Sequence, residues 1–374
     1  MSYQEQRDLV HAGQGFIAAL DQSGGSTPKA LAAYGIDASA FSSDAEMFDM
    51  IHAMRSRIVR SPDFTGAKVV GAILFEDTMD RDFDGQSAPQ YLWQERGVVP
   101  FLKVDKGLQD TADGVQLLKP MPDLETLLQR AAALGIFGTK MRSVIHGANR
   151  TGISQIVTQQ FEIGAQIIAQ GLVPILEPEV SIAISDKAGA ENMLRDAILT
   201  HLDALPADHT VMLKLTLPET ANLYRQICQH PRVLSVVALS GGYSRAEANA
   251  RLSQNSKMIA SFSRALTEGL TAQQSDSQFN QTLAQTIDEI YRASIPNKIE
   301  KKNESRDSQW TPSVSYCSKA RQRRKAVHGT EQHPSNWPLG RDICVADPRR
   351  IFHIFRHSRR LWNFASGSLP SRSR

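Results

Sequence analysis

Charged residues interrupt apolar runs of this sequence at short, regular spacings. Lys140 and Arg142 stand two positions apart, Glu177 and Glu179 do the same, and Lys214 lies between Val-Met-Leu and Leu-Thr-Leu. Residues two apart on a strand point to one face, so each pair would project together. Burying an unpaired charge is costly, and such positions usually have a function. The spacing therefore predicts a site where acids meet bases, and purely structural ion pairs are the competing interpretation.

Lys214 is the candidate nucleophile of this site. Its apolar neighbours give it a dry setting, which favours the neutral amine, and a nearby cation such as Lys140 would act in the same direction. An uncharged lysine can attack a carbonyl carbon and form a covalent imine. On the residues alone, a lysine that is paired or reaches solvent is the competing interpretation.

Two stretches rich in glycine and serine are candidates for phosphate binding. The stretch Ser240-Gly241-Gly242 ends the seventh apolar run, and Arg264 stands in the eighth. Glycine lets backbone N–H groups approach an anion, the serine hydroxyl can donate a hydrogen bond, and arginine can bind phosphate with two. A second stretch, which contains Ser23 and Ser26, follows the first run. An ordinary turn is the competing interpretation for either stretch.

The elements that would position these residues are buried strands and amphipathic helices. Eight apolar runs rich in Val, Ile, Leu and Phe are typical of buried parallel strands. They cover residues 15–21, 67–77, 100–107, 135–145, 171–180, 211–218, 233–242 and 256–266. Segments with helical spacing of apolar residues lie at 122–134, 154–169, 219–228, 244–252 and 279–293. This alternation predicts an α/β protein with a (β/α)8 TIM barrel. An open doubly wound sheet is the alternative, but no GxGxxG follows the first run.

The charged residues of the runs lie toward the carboxyl ends of the predicted strands. They are Asp21, Lys103, Asp105, Lys140, Arg142, Glu177, Glu179, Lys214 and Arg264. In a TIM barrel the carboxyl ends of the strands form the face that carries the active site. The fold and the candidate residues therefore predict the same location for the chemistry.

The composition limits the class of protein. With 374 residues and 41% hydrophobic content, the chain can bury a large core. The sequence has no run of about 18 apolar residues and no secretory pattern at its start, so we expect a cytoplasmic protein without membrane spans. Cys228, Cys317 and Cys344 have no CxxC spacing, and the histidines form no HExxH motif. We therefore expect no metal, no cofactor and no disulfide framework.

These motifs resemble, in order, those of the class I fructose-bisphosphate aldolases. The first run reads ALDQSGGS, the second and third contain GAILFEDT and LKVDKG, and the fourth and fifth contain GTKMR and PILEPEV. The sixth contains LKLTLP, the seventh LSGGYS, and the last FSRAL. The conjunction of LEPE, a strand lysine and LSGG is more specific than any one motif. The similarity runs from about residue 15 to about residue 266, and it points to the bacterial branch of the family.

The resemblance implies a mechanism for the predicted catalytic residues. Lys214 would attack the ketone carbon of fructose 1,6-bisphosphate, and the protonated imine would serve as the electron sink. Glu177 would act as acid and base, Glu179 would support the lysine pair, and Lys140 would contribute positive charge. Asp21 would take the proton of the C4 hydroxyl, so that the C3–C4 bond breaks. The products would be dihydroxyacetone phosphate and glyceraldehyde 3-phosphate, as in glycolysis and, in reverse, gluconeogenesis.

The resemblance also assigns two phosphate sites. Ser240, Gly241 and Arg264 would hold one phosphate, and Lys103 with Arg142 would hold the other. Two anchors fit a bisphosphate substrate, and a homo-oligomer is compatible with the sequence. Another Schiff-base barrel aldolase that acts on a monophosphorylated sugar is the alternative enzyme. A non-catalytic sugar-phosphate-binding protein is the alternative of another class, and it would be favoured by the loss of a catalytic position.

The sequence departs from the family pattern at three places. Gln22 follows the aspartate where many members have glutamate, and Ala30 stands where the animal enzymes have a basic residue near a phosphate. The affinity for one phosphate could differ as a result. The animal enzymes end in a catalytically useful tyrosine, whereas this sequence ends in Ser-Arg-Ser-Arg.

The sequence after Pro296 has a different character. Residues 297–374 hold 17 Lys and Arg against 6 Asp and Glu, so the preceding residues are net negative. This segment lacks helical or strand periodicity and matches no motif of the family, so we predict a disordered basic tail that lies outside the 1–296 barrel. Nucleic acid binding by its arginine clusters is the disfavoured alternative.

Overall fold

The computed structural model describes residues 2–295, and in that range eight parallel strands follow one another around a barrel. They are β1 (Phe16–Leu20), β2 (Val69–Leu74), β3 (Val99–Lys103), β4 (Gly138–Ile145), β5 (Val173–Val180), β6 (Val211–Thr216), β7 (Val233–Leu239) and β8 (Met258–Ala260). Each strand pairs in parallel with the next. The barrel nearly closes, because the amide of Ala19 donates a hydrogen bond to the carbonyl oxygen of Phe262 just after β8, at 3.1 Å. The predicted (β/α)8 barrel is confirmed.

Helices alternate with these strands. They are α1 (Tyr3–Ala12), α2 (Thr27–Ala33), α3 (Asp44–Arg60), α4 (Glu76–Met79), α5 (Ala88–Gln94), α6 (Leu124–Ala133), α7 (Arg150–Ala169), α8 (Lys187–Ala204), α9 (Arg225–Cys228), α10 (Arg245–Ser253), α11 (Arg264–Thr267) and α12 (Asp276–Ser294). A 3-10 turn spans Ala38–Ala40, and short strands lie at Asp82–Phe83, Gln86–Ser87 and Val115–Gln116. Of the helices described here, none combines the length and apolar character that crossing a membrane requires. The tail and the boundary predicted at Pro296 lie outside the described residues.

The apolar residues of the barrel form two layers. On β1, Ile17 and Ala19 belong to the cluster inside the barrel, whereas Phe16, Ala18 and Leu20 pack with the surrounding helices. The inner cluster contains Val10, Ile17, Ala19, Val70, Ile73, Val99, Phe101, Phe137, Val173, Ile175, Met212, Leu234, Val237 and Ile259. Its members come from the strands, from α1 and from Phe137 just before β4. The carboxyl ends of the strands are left for polar side chains.

Helix α1 covers the amino-terminal end of the barrel. Its Val10 is fully buried in the inner cluster, and the ring of Tyr3 lies 5.0 Å from that of Phe137, which precedes β4. The imidazole of His11 is 3.2 Å from the carbonyl oxygen of Leu234, near the start of β7. The opposite end is therefore the mouth, as expected for a TIM barrel.

The helix predicted over residues 219–228 is wrong in its extent. Only Arg225–Cys228 is helical, because the backbone of Asn222 has a φ of 62°, which no right-handed helix allows. The side-chain oxygen of Asn222 accepts hydrogen bonds from the backbone amide and the hydroxyl of Ser256. The backbone amide of Asn222 donates to the side-chain oxygen of Asn255. These tertiary contacts, which local periodicity does not reveal, hold the segment as a turn.

Candidate active site

Four charged side chains meet inside the mouth of the barrel. Lys214 on β6 and Glu177 on β5 form an ion pair with 3.0 Å between Nζ and Oε1. The other oxygen of Glu177 lies 3.1 Å from Nζ of Lys140 on β4, and that nitrogen is 2.6 Å from Oδ2 of Asp21, which follows β1. No more than 10% of any of these side chains is exposed. The structure thus brings four of the predicted catalytic residues into one cluster.

Pairing rather than burial sets the charges of Lys140 and Asp21. Burial opposes the charge of Lys140, but the carboxylates of Asp21 and Glu177 outweigh it and raise the pKa of Lys140 well above its ordinary value. Burial would also raise the pKa of Asp21, but the charges of Lys140 and Lys214 lower that pKa well below its ordinary value. Asp21 is therefore an ionised carboxylate at neutral pH, and it can accept a proton.

The register of β5 and β6 places Glu177 against Lys214. The register of these two strands pairs Ile175 with Met212 and Leu176 with Leu213, the positions just before the two charged residues. Beyond this point the side chain of Thr216 connects the strands, since its hydroxyl donates to the carbonyl oxygen of Val180 at 2.8 Å and accepts from the amide of Val180 at 2.9 Å. The Glu177 and Lys214 side chains thus meet between the last register pair of the two strands and the Thr216–Val180 hydrogen bonds.

Asp105, which the sequence analysis left without a role, joins the cluster from the loop after β3. Its Oδ1 lies 2.8 Å from Nζ of Lys103, and its Oδ2 is 3.9 Å from Nζ of Lys140. Oδ2 also accepts a hydrogen bond from the backbone amide of Arg142. The predicted phosphate ligand Lys103 is therefore held beside the predicted catalytic residue Lys140 by a buried carboxylate. The position of Asp105 within the motif LKVDKG is the sequence feature that could have predicted its place in the site.

Arg142 and Glu179 form an ion pair at the rim. Nη1 of Arg142 is 2.8 Å from Oε2 of Glu179, and 44% of the arginine side chain is exposed. Burial raises the pKa of Glu179 above its ordinary value despite this partner. The direct partner of Glu179 is Arg142 and not the lysine pair. Arg142 is nevertheless open to a ligand that enters the mouth.

The loop after β7 has a backbone conformation that favours glycine. Gly241 and Gly242 have φ values of 62° and 123°, which other residues rarely adopt. A Cβ on Gly241 would lie 2.8 Å from the side chain of Ile182, and one on Gly242 would lie 3.6 Å from Nη2 of Arg264. Ser240, at the start of this loop, is buried. Ser240, Gly241, Gly242 and Arg264 are therefore grouped as predicted.

The second glycine- and serine-rich stretch bonds to itself. The hydroxyl of Ser26 donates to the carbonyl oxygen of Ser23 at 3.1 Å and accepts from the amide of Ser23 at 3.0 Å. These contacts close the turn that leads into α2. Phosphate binding by Ser23 and Ser26 stays a prediction, and the local bonds favour the ordinary turn.

The cluster can do the chemistry of a covalent amine catalyst. An amine stands beside a carboxylate that can take or give its proton, and a second cation lies on the other side of that carboxylate. Over residues 2–295, no three or more His, Cys, Asp or Glu side chains are grouped so that they could hold a metal ion. The absence of a metal and of a cofactor from the reaction stays a prediction.

Comparisons with known proteins agree on one family. The family model of class I fructose-bisphosphate aldolase matches residues 3–224. A Synechocystis protein named fructose-bisphosphate aldolase class 1 is 60% identical over 292 residues, which cover 78% of this chain and 97% of the relative. A Porphyromonas gingivalis protein of the same name is 54% identical over 291 residues, which cover 78% and 99%.

A solved structure supports the same fold. A fructose-bisphosphate aldolase from Plasmodium falciparum aligns with a TM-score of 0.64 at 18% identity, over 78% of this chain and 94% of that one. Because the identity is this low, the structure supports the barrel architecture alone. The two bacterial relatives and the family model show the enzyme class. This chain belongs to the class I fructose-bisphosphate aldolase family.

Proposed function

We propose that this enzyme cleaves fructose 1,6-bisphosphate reversibly through an imine on Lys214. The observation that carries the proposal is the position of Glu177, whose two oxygens lie 3.0 Å from Nζ of Lys214 and 3.1 Å from Nζ of Lys140. A carboxylate between two buried amines can shuttle a proton to and from one of them while the other stays charged.

The first stage forms the imine. Glu177 takes a proton from the ammonium group of Lys214, the freed amine bonds to C2 of the open-chain ketose, and Glu177 passes that proton to the C2 oxygen. Glu177 then takes a second proton from the nitrogen, which gives the carbinolamine. Glu177 then returns a proton to the C2 hydroxyl, which leaves as water. The product is an iminium ion that supplies the electron sink, the role that a metal ion has in other aldolases.

The second stage breaks the carbon–carbon bond. The ionised carboxylate of Asp21 takes the proton of the C4 hydroxyl, the C3–C4 bond breaks, and its electron pair passes into the iminium to give an enamine. Glyceraldehyde 3-phosphate leaves as the aldehyde. Protonation of the enamine at C3 balances the proton that Asp21 removed, and hydrolysis of the imine then releases dihydroxyacetone phosphate and the free amine of Lys214.

Two groups of residues support a bisphosphate substrate. The loop from Ser240 to Gly242 with Arg264 offers backbone amides and a guanidinium on one side of the mouth, and Lys103 with Arg142 offers two cations on the other. The carboxylates of Asp105 and Glu179 already pair with the second group. A phosphate would have to share those cations, so we expect this second anchor to be the weaker one. We place the reaction in glycolysis and gluconeogenesis, and its location in the cytoplasm.

Borohydride reduction in the presence of dihydroxyacetone phosphate tests the mechanism. We expect irreversible inactivation, with the reduced adduct on Lys214 by peptide mass analysis and no protection by EDTA. The matched control is Lys187→Met, because Lys187 is as buried as Lys214 but pairs with Glu191 on α8. This variant should still be labelled on Lys214, and Lys214→Met should not be labelled. An adduct on Lys140, or none in the wild type, would overturn the proposal.

A further inference from the structure

Arg55 on α3 is a fully buried arginine beneath the mouth of the barrel, and it is outside every motif described above. None of its side chain is exposed. Nη1 donates a hydrogen bond to the hydroxyl of Thr78 on α4 at 2.6 Å. Nη2 donates to the carbonyl oxygen of Gln22 at 2.5 Å and to the side-chain oxygen of Gln22 at 3.2 Å. Its hydrogen bonds within the described part of the chain therefore go to uncharged oxygens.

Burying this guanidinium carries a desolvation penalty. Burial lowers the pKa of Arg55 to about 10, although the charges of Asp21 and Asp77 raise it, so the group stays charged at neutral pH with uncharged hydrogen-bond partners. An apolar residue of similar volume would avoid the desolvation of a guanidinium, and such replacements are often neutral or stabilising when they fit. Packing alone thus gives no reason for an arginine at this position, and its hydrogen-bond partners suggest the reason.

Those partners belong to a connection between two strand ends of the active site. Gln22 directly follows Asp21, and its Nε2 donates a hydrogen bond to the hydroxyl of Ser263 at 2.9 Å. Ser263 directly precedes Arg264, the cation beside the loop after β7. We call Arg55, Gln22 and Ser263 the Gln22 bridge. It fixes the backbone next to a catalytic carboxylate and next to a phosphate ligand at the same time.

We propose that Arg55 is a positioning residue for Asp21, acting through the Gln22 bridge. The proposal rests on the proposed function, in which Asp21 acts in bond cleavage and not in imine formation. Asp21 has a strong partner on one side, since its Oδ2 lies 2.6 Å from Nζ of Lys140. Arg55 holds the carbonyl oxygen of Gln22, the residue after Asp21. This contact keeps the Asp21 carboxylate directed at the C4 hydroxyl of the substrate.

The same helix provides a matched control. Arg57 is two residues further along α3 and also makes several hydrogen bonds, to the hydroxyl of Tyr34, the carbonyl oxygen of Gln274 and the carboxylate of Asp276. These contacts tie α3 to the start of α12 and involve no residue of the site. Loss of Arg57 should therefore lower stability without altering the chemistry.

The experiment compares Arg55→Met with Arg57→Met in two assays on the full chain. For Arg55→Met we expect kcat for cleavage to fall about 10- to 100-fold, the size of effect that follows a misplacement of about 1 Å. The rate of borohydride-trapped imine formation with dihydroxyacetone phosphate should stay at the wild-type value, because this step does not use Asp21. Arg57→Met should keep both rates. Equal kcat in the two variants, or equal losses in both assays for Arg55→Met, would overturn the inference.

Two milder variants keep the test decisive if Arg55→Met does not fold. Arg55→Lys keeps the charge but cannot bind three oxygens with one planar group, and Gln22→Leu removes the side-chain half of the bridge. Both should slow cleavage more than imine formation, and wild-type cleavage in both would overturn the inference. Wild-type protein that traps no imine would instead overturn the proposed function and this inference with it. The two failures are therefore distinguishable.

Discussion

Lys140 is shared by carboxylates from three parts of the barrel. Asp21 after β1, Glu177 on β5 and Asp105 after β3 all lie within 3.9 Å of its Nζ. Because the charges of both Lys140 and Asp21 are stabilised by this pairing, the pair should contribute to stability wherever both are ionised. For Asp21, whose pKa is lowered by folding, the contribution is present above its ordinary pKa and is lost as the pH falls toward the folded value.

Asp21→Asn should therefore destabilise the protein to the same extent across neutral pH. We expect a loss of about 3 kcal/mol, at the low end for a broken buried ion pair because Lys140 keeps Glu177 as a partner. Urea unfolding of both proteins between about pH 5 and pH 8 should give a constant difference, which begins to shrink below about pH 4. A difference that changes across neutral pH would mean that Asp21 titrates there. Cleavage should be lost in the same variant, while trapped imine formation persists.

Single residues were predictable where a charge breaks an apolar run. Lys140, Glu177 and Lys214 stand out in this way, and the structure places all three in one cluster. Arg55 carries a similar signal, because it lies on the buried face of α3 between Ile51 and Ile58. The predicted helical segments do not include α3, so the signal of this charge was not recognised. The pairing of Glu179 with Arg142 was not predictable either, since spacing gives the face of a strand but not the partner across it.

At the scale of elements, the backbone pairing of β5 with β6 ends where Glu177 and Lys214 stand. The two strands stop pairing before Glu177 and Lys214, and Thr216 reconnects them through both backbone groups of Val180. A continuous ladder would hold the two side chains side by side on paired strands. The open ladder lets the carboxylate reach across to the amine, and the Thr216 hydroxyl limits how far the strands can separate.

Thr216→Val tests this role with a side chain of the same shape. The change leaves the amide and carbonyl of Val180 buried without their partner, so we expect a loss of about 1–3 kcal/mol in the free energy of unfolding. The Lys214–Glu177 contact should loosen, and the rate of imine formation should fall with kcat. Thr216→Ser, which keeps the hydroxyl, should restore both rates. A destabilised Thr216→Val enzyme that forms the imine at the wild-type rate would assign Thr216 to stability alone.

The strands of the barrel were easier to predict than its connections. Most strand residues are buried, so each strand lies in a largely apolar run that marks its own place in the sequence. The segment from Glu219 to Tyr224 is shaped by hydrogen bonds from Asn222 to residues more than thirty positions away. Contacts between residues so far apart in the sequence depend on the fold, so the local spacing of apolar residues does not predict them.

For the whole molecule, the eight barrel strands and the proposed site residues lie within the described residues. All eight strands and all the proposed ligands lie before residue 296, and the bacterial relatives align over nearly their whole lengths with 78% of this chain. The segment 297–374 contributes an excess of Lys and Arg, and its removal leaves a net negative chain. The barrel prediction thus makes no use of this segment, and its assignment as an appendage stays a prediction.

Deletion of residues 297–374 should leave the enzyme intact. We expect unchanged kcat and KM for fructose 1,6-bisphosphate and an unchanged melting temperature, because each charge of the site is paired with another described residue or faces the mouth. At low ionic strength, only the full chain should bind a polyanion such as heparin, since its excess of basic charge lies in that segment. Addition of salt should abolish this difference. An inactive or unstable truncated enzyme would show that the segment belongs to the working fold.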